Sequence, residues 1–304
     1  MADSLDVAGP DGRTLETVVE GPADGTLVIS HHGTPGSASE IWPPHIDEAS
    51  ERGLRLACYS RPGGAGSDRD SERSVADCAE DAAAIADHLE ADRFHSIGGS
   101  GGGPHALACA ALLPDRVIAA ATIASVAPFE ADGLDWSAGM GEENLQEFDA
   151  VQAGPEELET FLNNWLAELK DITGDQVLAA LGDLVSEPDA AVLSGEYAEF
   201  SAASMRDSLR SGIWGWFDDD FAMVKPWGFD LGAIEVPVTV WHGTEDRFVP
   251  LAHGEWLTGH VSGADARLLE DHGHLSLALA HFGEILDVLV RSGEGRDGAR
   301  QSNT

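Results

Sequence analysis

One short stretch, from Arg93 to Leu113, limits the possible folds of this chain more than any other. Phe94-His95-Ser96-Ile97 reads as a buried strand, and Ala106-Leu107-Ala108-Cys109-Ala110-Ala111-Leu112-Leu113 reads as a helix. Between them lies Gly98-Gly99-Ser100-Gly101-Gly102, a G-x-S-x-G turn that lifts one hydroxyl above a sheet. Glycines flank the serine because so tight a turn leaves little room for Cβ atoms. A flexible linker of the same composition would not sit between a strand and an apolar helix. The helix that follows presents unpaired N–H groups and partial positive charge to the serine, an environment suited to a developing oxyanion.

The rest of the chain alternates strands with helices, the pattern of a mostly parallel sheet covered on both faces. Thr14–Glu20 alternates like an early strand on an antiparallel edge. Gly25–Ser30 and Leu54–Tyr59 follow as short buried strands, and Val117–Ala124 is a continuous apolar one. Ser74 to Leu89 reads as a helix with Ser74 at its N-cap, Asp77 three residues on, and Val75, Cys78, Ala82, Ile85 and Leu89 on one face. Val236–Gly243 is a later strand, and Leu275–Val290 is a closing helix. From Pro128 to about Trp227 only helical periodicity appears, as in Leu158–Leu166.

Two loops downstream carry the residue types that could activate a serine. After the strand Val236–Gly243 come Glu245 and Asp246, and an acid there can orient a histidine; Asp246 is preferred to its neighbour. After Ala266–Glu270 comes Asp271-His272-Gly273-His274, and an imidazole there titrates near working pH, as a proton acceptor must. His274 is preferred to His272 because a preceding glycine lets the loop swing it inward.

Taken in order, Ser100, Asp246 and His274 follow the Ser-acid-His sequence of the α/β-hydrolase superfamily, and the chain resembles a capped serine member over nearly its whole length. Tyr59–Ser67 is similar to the turn after the fourth strand in that family, and Phe248-Val249-Pro250 to the segment after its acid. The chain departs where many relatives carry a large residue beside the nucleophile, since Gly99 and Gly101 stand here, and Ser60 replaces a frequent acid. The resemblance implies an eight-stranded sheet with helices on both faces and a discontinuous core of 1–127 and 228–291. It places a helical cap at 128–227, and the Gly-, Arg- and Ser-rich 292–304 reads as a disordered tail. It further implies an oxyanion hole from the backbone N–H of Gly101 and of Thr34, because Pro35 has none to give. Trp136, Trp165, Trp214 and Trp216 fall in the cap region; they are candidates for an apolar ceiling, although packing of cap on core explains any one of them better than substrate contact does.

The expected chemistry is hydrolysis of a small or medium uncharged carboxylic ester through an acyl-enzyme, without metal or cofactor. A proline-iminopeptidase-like aminopeptidase is the alternative, its substrate amine held by cap acids such as Glu142, Glu143, Glu156 or Glu157. Carbon–carbon bond or lactone hydrolysis uses the same groups, and a ligand receptor on a hydrolase fold is the non-enzyme alternative. Gly101–Ala106 matches G-x-G-x-x-A, but no ribose-binding acid follows, and no Walker A is present. His31-His32 and His272-Gly273-His274 lack the further residues a metal hydrolase needs.

Charge narrows the partners. There are 54 acidic residues against 17 Lys plus Arg, a net charge of −37 that repels nucleic acid and anionic membranes. Such self-repulsion is screened at about 1 M salt, where the Debye length is roughly 3 Å, so a high-salt cytoplasm is the expected setting. No apolar run approaches the roughly 20 residues of a membrane span. The start, Met1–Val7, does not read as a secretion signal, and Cys58, Cys78 and Cys109 read as reduced thiols. Oligomeric state is not legible.

Overall fold

The structure, a computed structural model, describes residues 4–302 and the side chains of 4–294. Eight strands are present among the described residues: β1 (Ser4–Ala8), β2 (Thr14–Glu20), β3 (Thr26–His31), β4 (Leu54–Tyr59), β5 (Phe94–Gly99), β6 (Val117–Ile123), β7 (Val238–Gly243) and β8 (Asp265–Leu269). They form one sheet in the order β1-β2-β4-β3-β5-β6-β7-β8. The β1–β2 and β2–β4 pairs are antiparallel, and every pair from β4 to β8 is parallel. The expected sheet is therefore present, with one correction. Thr14–Glu20 is not the edge; β1 covers it, and its exposed side chains hid it from a reading based on buried alternation.

Helices α1 (Pro43–Glu51), α2 (Cys78–His88) and α3 (Gly103–Leu112) connect β3 to β4, β4 to β5 and β5 to β6 in turn. Between β6 and β7 the chain leaves the sheet for α4 (Glu142–Ala153), α5 (Pro155–Leu169), α6 (Gly174–Leu181), α7 (Glu187–Val192), α8 (Gly195–Ser208) and α9 (Trp214–Val224). Helices α10 (Leu251–His260) and α11 (His274–Ser302) complete the chain. Because side chains alternate along a strand, Val28 and Ile29 enter different cores on opposite faces of the sheet. Val28, Leu56, Ile97, Ala121 and Trp241 pack with Ala49 of α1 and with Leu277, Ile285 and Leu289 of α11. Ile29, Phe94 and Val117 pack with Ile85 of α2, Leu107 of α3 and Leu257 of α10.

Two expectations are revised. The helix read from Ser74 begins at Cys78; Ser74 accepts no helical role, and instead its N–H and hydroxyl both donate to Asp77 Oδ2 at 2.6 and 2.9 Å, holding a turn one step earlier. The expected disordered tail from 292 is helical to Ser302, and 303–304 lie outside the described residues. Extending a helix already nucleated on a core costs little per residue, so composition alone misjudged this end.

The turn after β5 is built as its glycines require. Ser100 has φ 52°, in the left-handed region that a non-glycine residue adopts only under constraint. A Cβ on Gly98 would run into the carbonyl of Gly102, and one on Gly102 into that of His31 on β3. Only bare backbone lets the turn fold back this closely and start α3 directly below the serine.

Candidate active site

Ser100, Thr34, Glu40, Phe248 and His274 line a single cavity of about 220 Å³, closed on its far side by α4 to α9 through Leu169, Leu193, Tyr197 and Trp216. Space of about 150 Å³ admits a benzene ring, so a somewhat larger group fits here.

His274 begins α11 and turns its ring towards the loop after β7, where Nδ1 lies 2.8 Å from Asp246 Oδ2. A carboxylate only accepts, so Nδ1 carries the proton and Nε2 is left with a lone pair. The other oxygen of Asp246 accepts from the N–H groups of Phe248 and Val249 at 2.9 and 2.8 Å, which fixes the acid. Phe248 then stacks on the imidazole, centroids 4.6 Å apart. Burial alone would lower the His274 pKa; the adjoining Asp246 carboxylate outweighs it, aided by Asp189 and Glu40, and the net shift is upward. Buried His242, whose Nε2 donates to Val249 O at 2.7 Å, is shifted downward by burial and stays neutral behind the acid. No hydrogen bond joins Ser100 to His274 among the described residues. Both face the same cavity, and such contacts commonly close only when substrate arrives.

The two neighbouring acids and the two neighbouring histidines stand in different surroundings. Glu245 is exposed, whereas Asp246 is 5% exposed and on the histidine. His272 points away to the carbonyl of Glu270 and to His281. Gly273 serves a purpose other than letting a loop swing: a Cβ there would strike Asp189 and Ser186. Fully buried Asp189, on α7, accepts from the backbone N–H of His274, Leu275 and Ser276 at 2.9 Å each, and so caps α11 at the candidate base.

Thr34 and Gly101 adjoin across the cavity floor, since a Cβ on Gly101 would lie 2.5 Å from Thr34 Oγ1. Below them is a buried ion network. Arg61, 2% exposed, donates to the carbonyls of His32 and Gly33 at 2.6 and 2.7 Å and to Thr34 Oγ1 at 3.0 Å. Asp219 of α9 pairs with both Arg61 and Arg73 and accepts from Thr34 Oγ1 at 3.0 Å. Burial would raise the Asp219 carboxyl, but the two guanidinium groups hold it far below the usual range.

Of the four tryptophans, Trp165 and Trp216 line the cavity. Trp136 is corrected to a packing role: it donates to Ala127 O at 2.8 Å and sits edge-on to Phe148 and His253. Trp214 lies under the guanidinium of Arg69, 4.1 Å from its centroid, outside the cavity. Of the cap acids considered, Glu143 reaches the cavity and Glu142, Glu156 and Glu157 do not. Sequence reasoning missed Glu40 and Glu147. Glu40 is open to the cavity yet surrounded by protein, and burial raises it to about 7 against the pull of Arg61 and His274. Glu147 is raised to about 7 by burial, although Trp216 Nε1 donates to it at 2.5 Å. Arg61, Asp219 and Asp189 were missed as well; with so many acids, no single one stands out. Arg61 did leave a signal, a scarce cation directly after a buried strand.

A profile of the α/β hydrolase fold matches residues 26–280. A 2-hydroxy-6-oxononadienedioate/2-hydroxy-6-oxononatrienedioate hydrolase of Klebsiella pneumoniae is 25% identical over 271 residues, covering 86% of each chain. A putative carbamate hydrolase of Variovorax paradoxus is 28% identical over 288 residues, 91% of this chain and 96% of its own. Among solved structures, a Rhodococcus esterase superposes with a TM-score of 0.68 at 19% identity, over 95% of this chain and 98% of that one.

Proposed function

The chain belongs to the α/β hydrolase fold family, and on that footing we propose that it is a serine hydrolase acting on a small or medium uncharged carboxylic ester. Ser100 is the nucleophile, His274 its base, and Asp246 the group that orients and charges-balances the imidazole. His274 Nε2 takes the hydroxyl proton as Ser100 Oγ attacks the carbonyl carbon. The oxyanion settles against the N–H groups of Thr34 and Gly101. The protonated imidazole next gives its proton to the leaving alkoxide, and water, deprotonated by His274, releases the acid. Residues 1–127 and 228–291 serve as the core and 128–227 as the cap whose apolar lining receives the substrate.

The observation that carries this reading is the convergence on one cavity of a strained-turn serine and a histidine already held by a buried acid. Electrostatics bear on the alternatives. The lining holds Glu40, Glu143 and Glu147 and neither Arg nor Lys, which disfavours the dianionic compounds named for the Klebsiella relative. The same three acids favour, as a second reading, a substrate with a cationic amine, as in an aminopeptidase. With Glu40 and Glu147 both raised to about 7, about one of those three charges is neutralised near pH 7, which suits the uncharged ester better.

Hydrolysis of p-nitrophenyl butyrate, proline p-nitroanilide and a γ-lactone, by the wild type and by Ser100→Ala, tests the proposal. Turnover of the ester above the others, lost in the variant, is expected. Wild-type ester turnover by Ser100→Ala, or activity confined to the anilide, overturns it.

A further inference from the structure

The two histidines on the outer side of the loop before α11 carry an unresolved proton problem. His272 Nδ1 lies 2.8 Å from the carbonyl of Glu270, and His281 Nδ1 lies 3.2 Å from the Glu284 carboxylate. Both partners are pure acceptors, so these contacts assign the hydrogen of each neutral ring to Nδ1 and leave each Nε2 to present a lone pair. Yet the two Nε2 atoms face one another at 3.0 Å, their rings 4.7 Å apart. Two lone pairs at that distance repel; something positive belongs between or beside them.

We propose that His272 and His281 bind a divalent transition-metal ion of the Ni²⁺, Cu²⁺ or Zn²⁺ class through their Nε2 atoms. Two imidazole nitrogens each about 2.1 Å from one metal stand roughly 3.0 Å apart when they subtend about 90°, the cis angle of a tetragonal Ni²⁺ or Cu²⁺ site. Opening to the tetrahedral angle of Zn²⁺ needs about 0.4 Å more. The outer contacts are those of metal-bound histidines, which commonly pass their second N–H to a carbonyl or a carboxylate and are thereby fixed in tautomer and orientation. Both rings are half-buried and reachable from solvent. Among the described residues no third protein group joins them, so water completes the coordination. The ion would tie the loop after β8 to the third turn of α11. This proposal is independent of the hydrolytic reading, because neither histidine lines the cavity.

The sequence alone pointed elsewhere. It set His272 beside His274, while the matching ring stands nine positions along, on the far side of a loop-to-helix junction.

Titration of the untagged full chain with NiCl2, by calorimetry in excess Mg²⁺ to occupy surface carboxylates, tests the site. A one-to-one phase is expected in the wild type, absent from His272→Ala and from His281→Ala, and weakened about 10- to 100-fold in Glu284→Gln. Ni²⁺ should raise the melting temperature of the wild type and not of the alanine variants. His281→Gln, checked by circular dichroism, guards against a folding defect. No saturable phase, or one that survives either alanine substitution, overturns the proposal; the pair then shares a proton and nothing more.

Discussion

Replacing Asp219 with Asn tests whether the floor beneath Thr34 is held by charge. The change keeps the shape but leaves Arg61 and Arg73, both buried, without the carboxylate that now pairs with each. Removing one partner from a buried ion pair costs about 3–5 kcal/mol, because the remaining charge stays desolvated. With an unfolding entropy near 2.1 cal/mol/K per residue, 304 residues convert this to a fall in melting temperature of roughly 5–8 °C. Activity should fall as well. Outright loss of one oxyanion donor lowers kcat about 10²- to 10³-fold, and a Thr34 loosened but still present should cost roughly tenfold, in kcat more than in KM. The pH dependence carries its own sign. A depressed carboxyl pKa stabilises the native state above the unfolded value of about 4 and loses that contribution as pH falls further, so Asp219→Asn should flatten the acid limb of stability. Urea melts and ester kinetics on both proteins are sufficient. A midpoint shift worth less than about 1 kcal/mol, with kcat unaltered, refutes the reasoning.

Three further outcomes follow from the same geometry. The acid limb of kcat/KM should have its midpoint above 6.5, since the raised His274 must be neutral to act, and Asp246→Asn should move it downward because the main group opposing burial is then lost and only Asp189 and Glu40 remain; a limb unmoved by that substitution excludes His274 as the titrating group. Asp189→Ala strips three backbone N–H groups of their acceptor and should cost about 2–4 kcal/mol, with kcat reduced as the start of α11 frays; unchanged thermal unfolding would falsify the capping role. Melting temperature and activity should rise from about 0.1 M to about 2 M KCl as the −37 net charge is screened, and flat curves rule out adaptation to high salt.

What the sequence made legible was whatever rests on local chemistry. The glycines around Ser100 and the apolar run of β6 each obey rules of a few neighbouring residues, and both lie where those rules put them. The choice between Glu245 and Asp246 was also within reach, because only the second can turn back onto the N–H groups of Phe248 and Val249. Contacts between distant segments were not legible. Asp189 reaches α11 from 85 residues away, and Asp219 reaches Arg61 from 158 away, with nothing beside either to separate it from 52 other acids of similar surroundings. The tryptophans show the same limit, since Trp214 and Trp216 are two residues apart yet only one meets the cavity. Strand β1 escaped because pairing with β2, and not a buried face, makes it a strand.

Covalent trapping reaches the centre of the account most directly. A fluorophosphonate forms a bond only with a hydroxyl that has a base and an oxyanion site beside it. Peptide mass spectrometry of the treated protein should place one adduct on Ser100, in step with loss of ester turnover, and none after His274→Ala. Adducts scattered over other residues, or full turnover with Ser100 unlabelled, would contradict it.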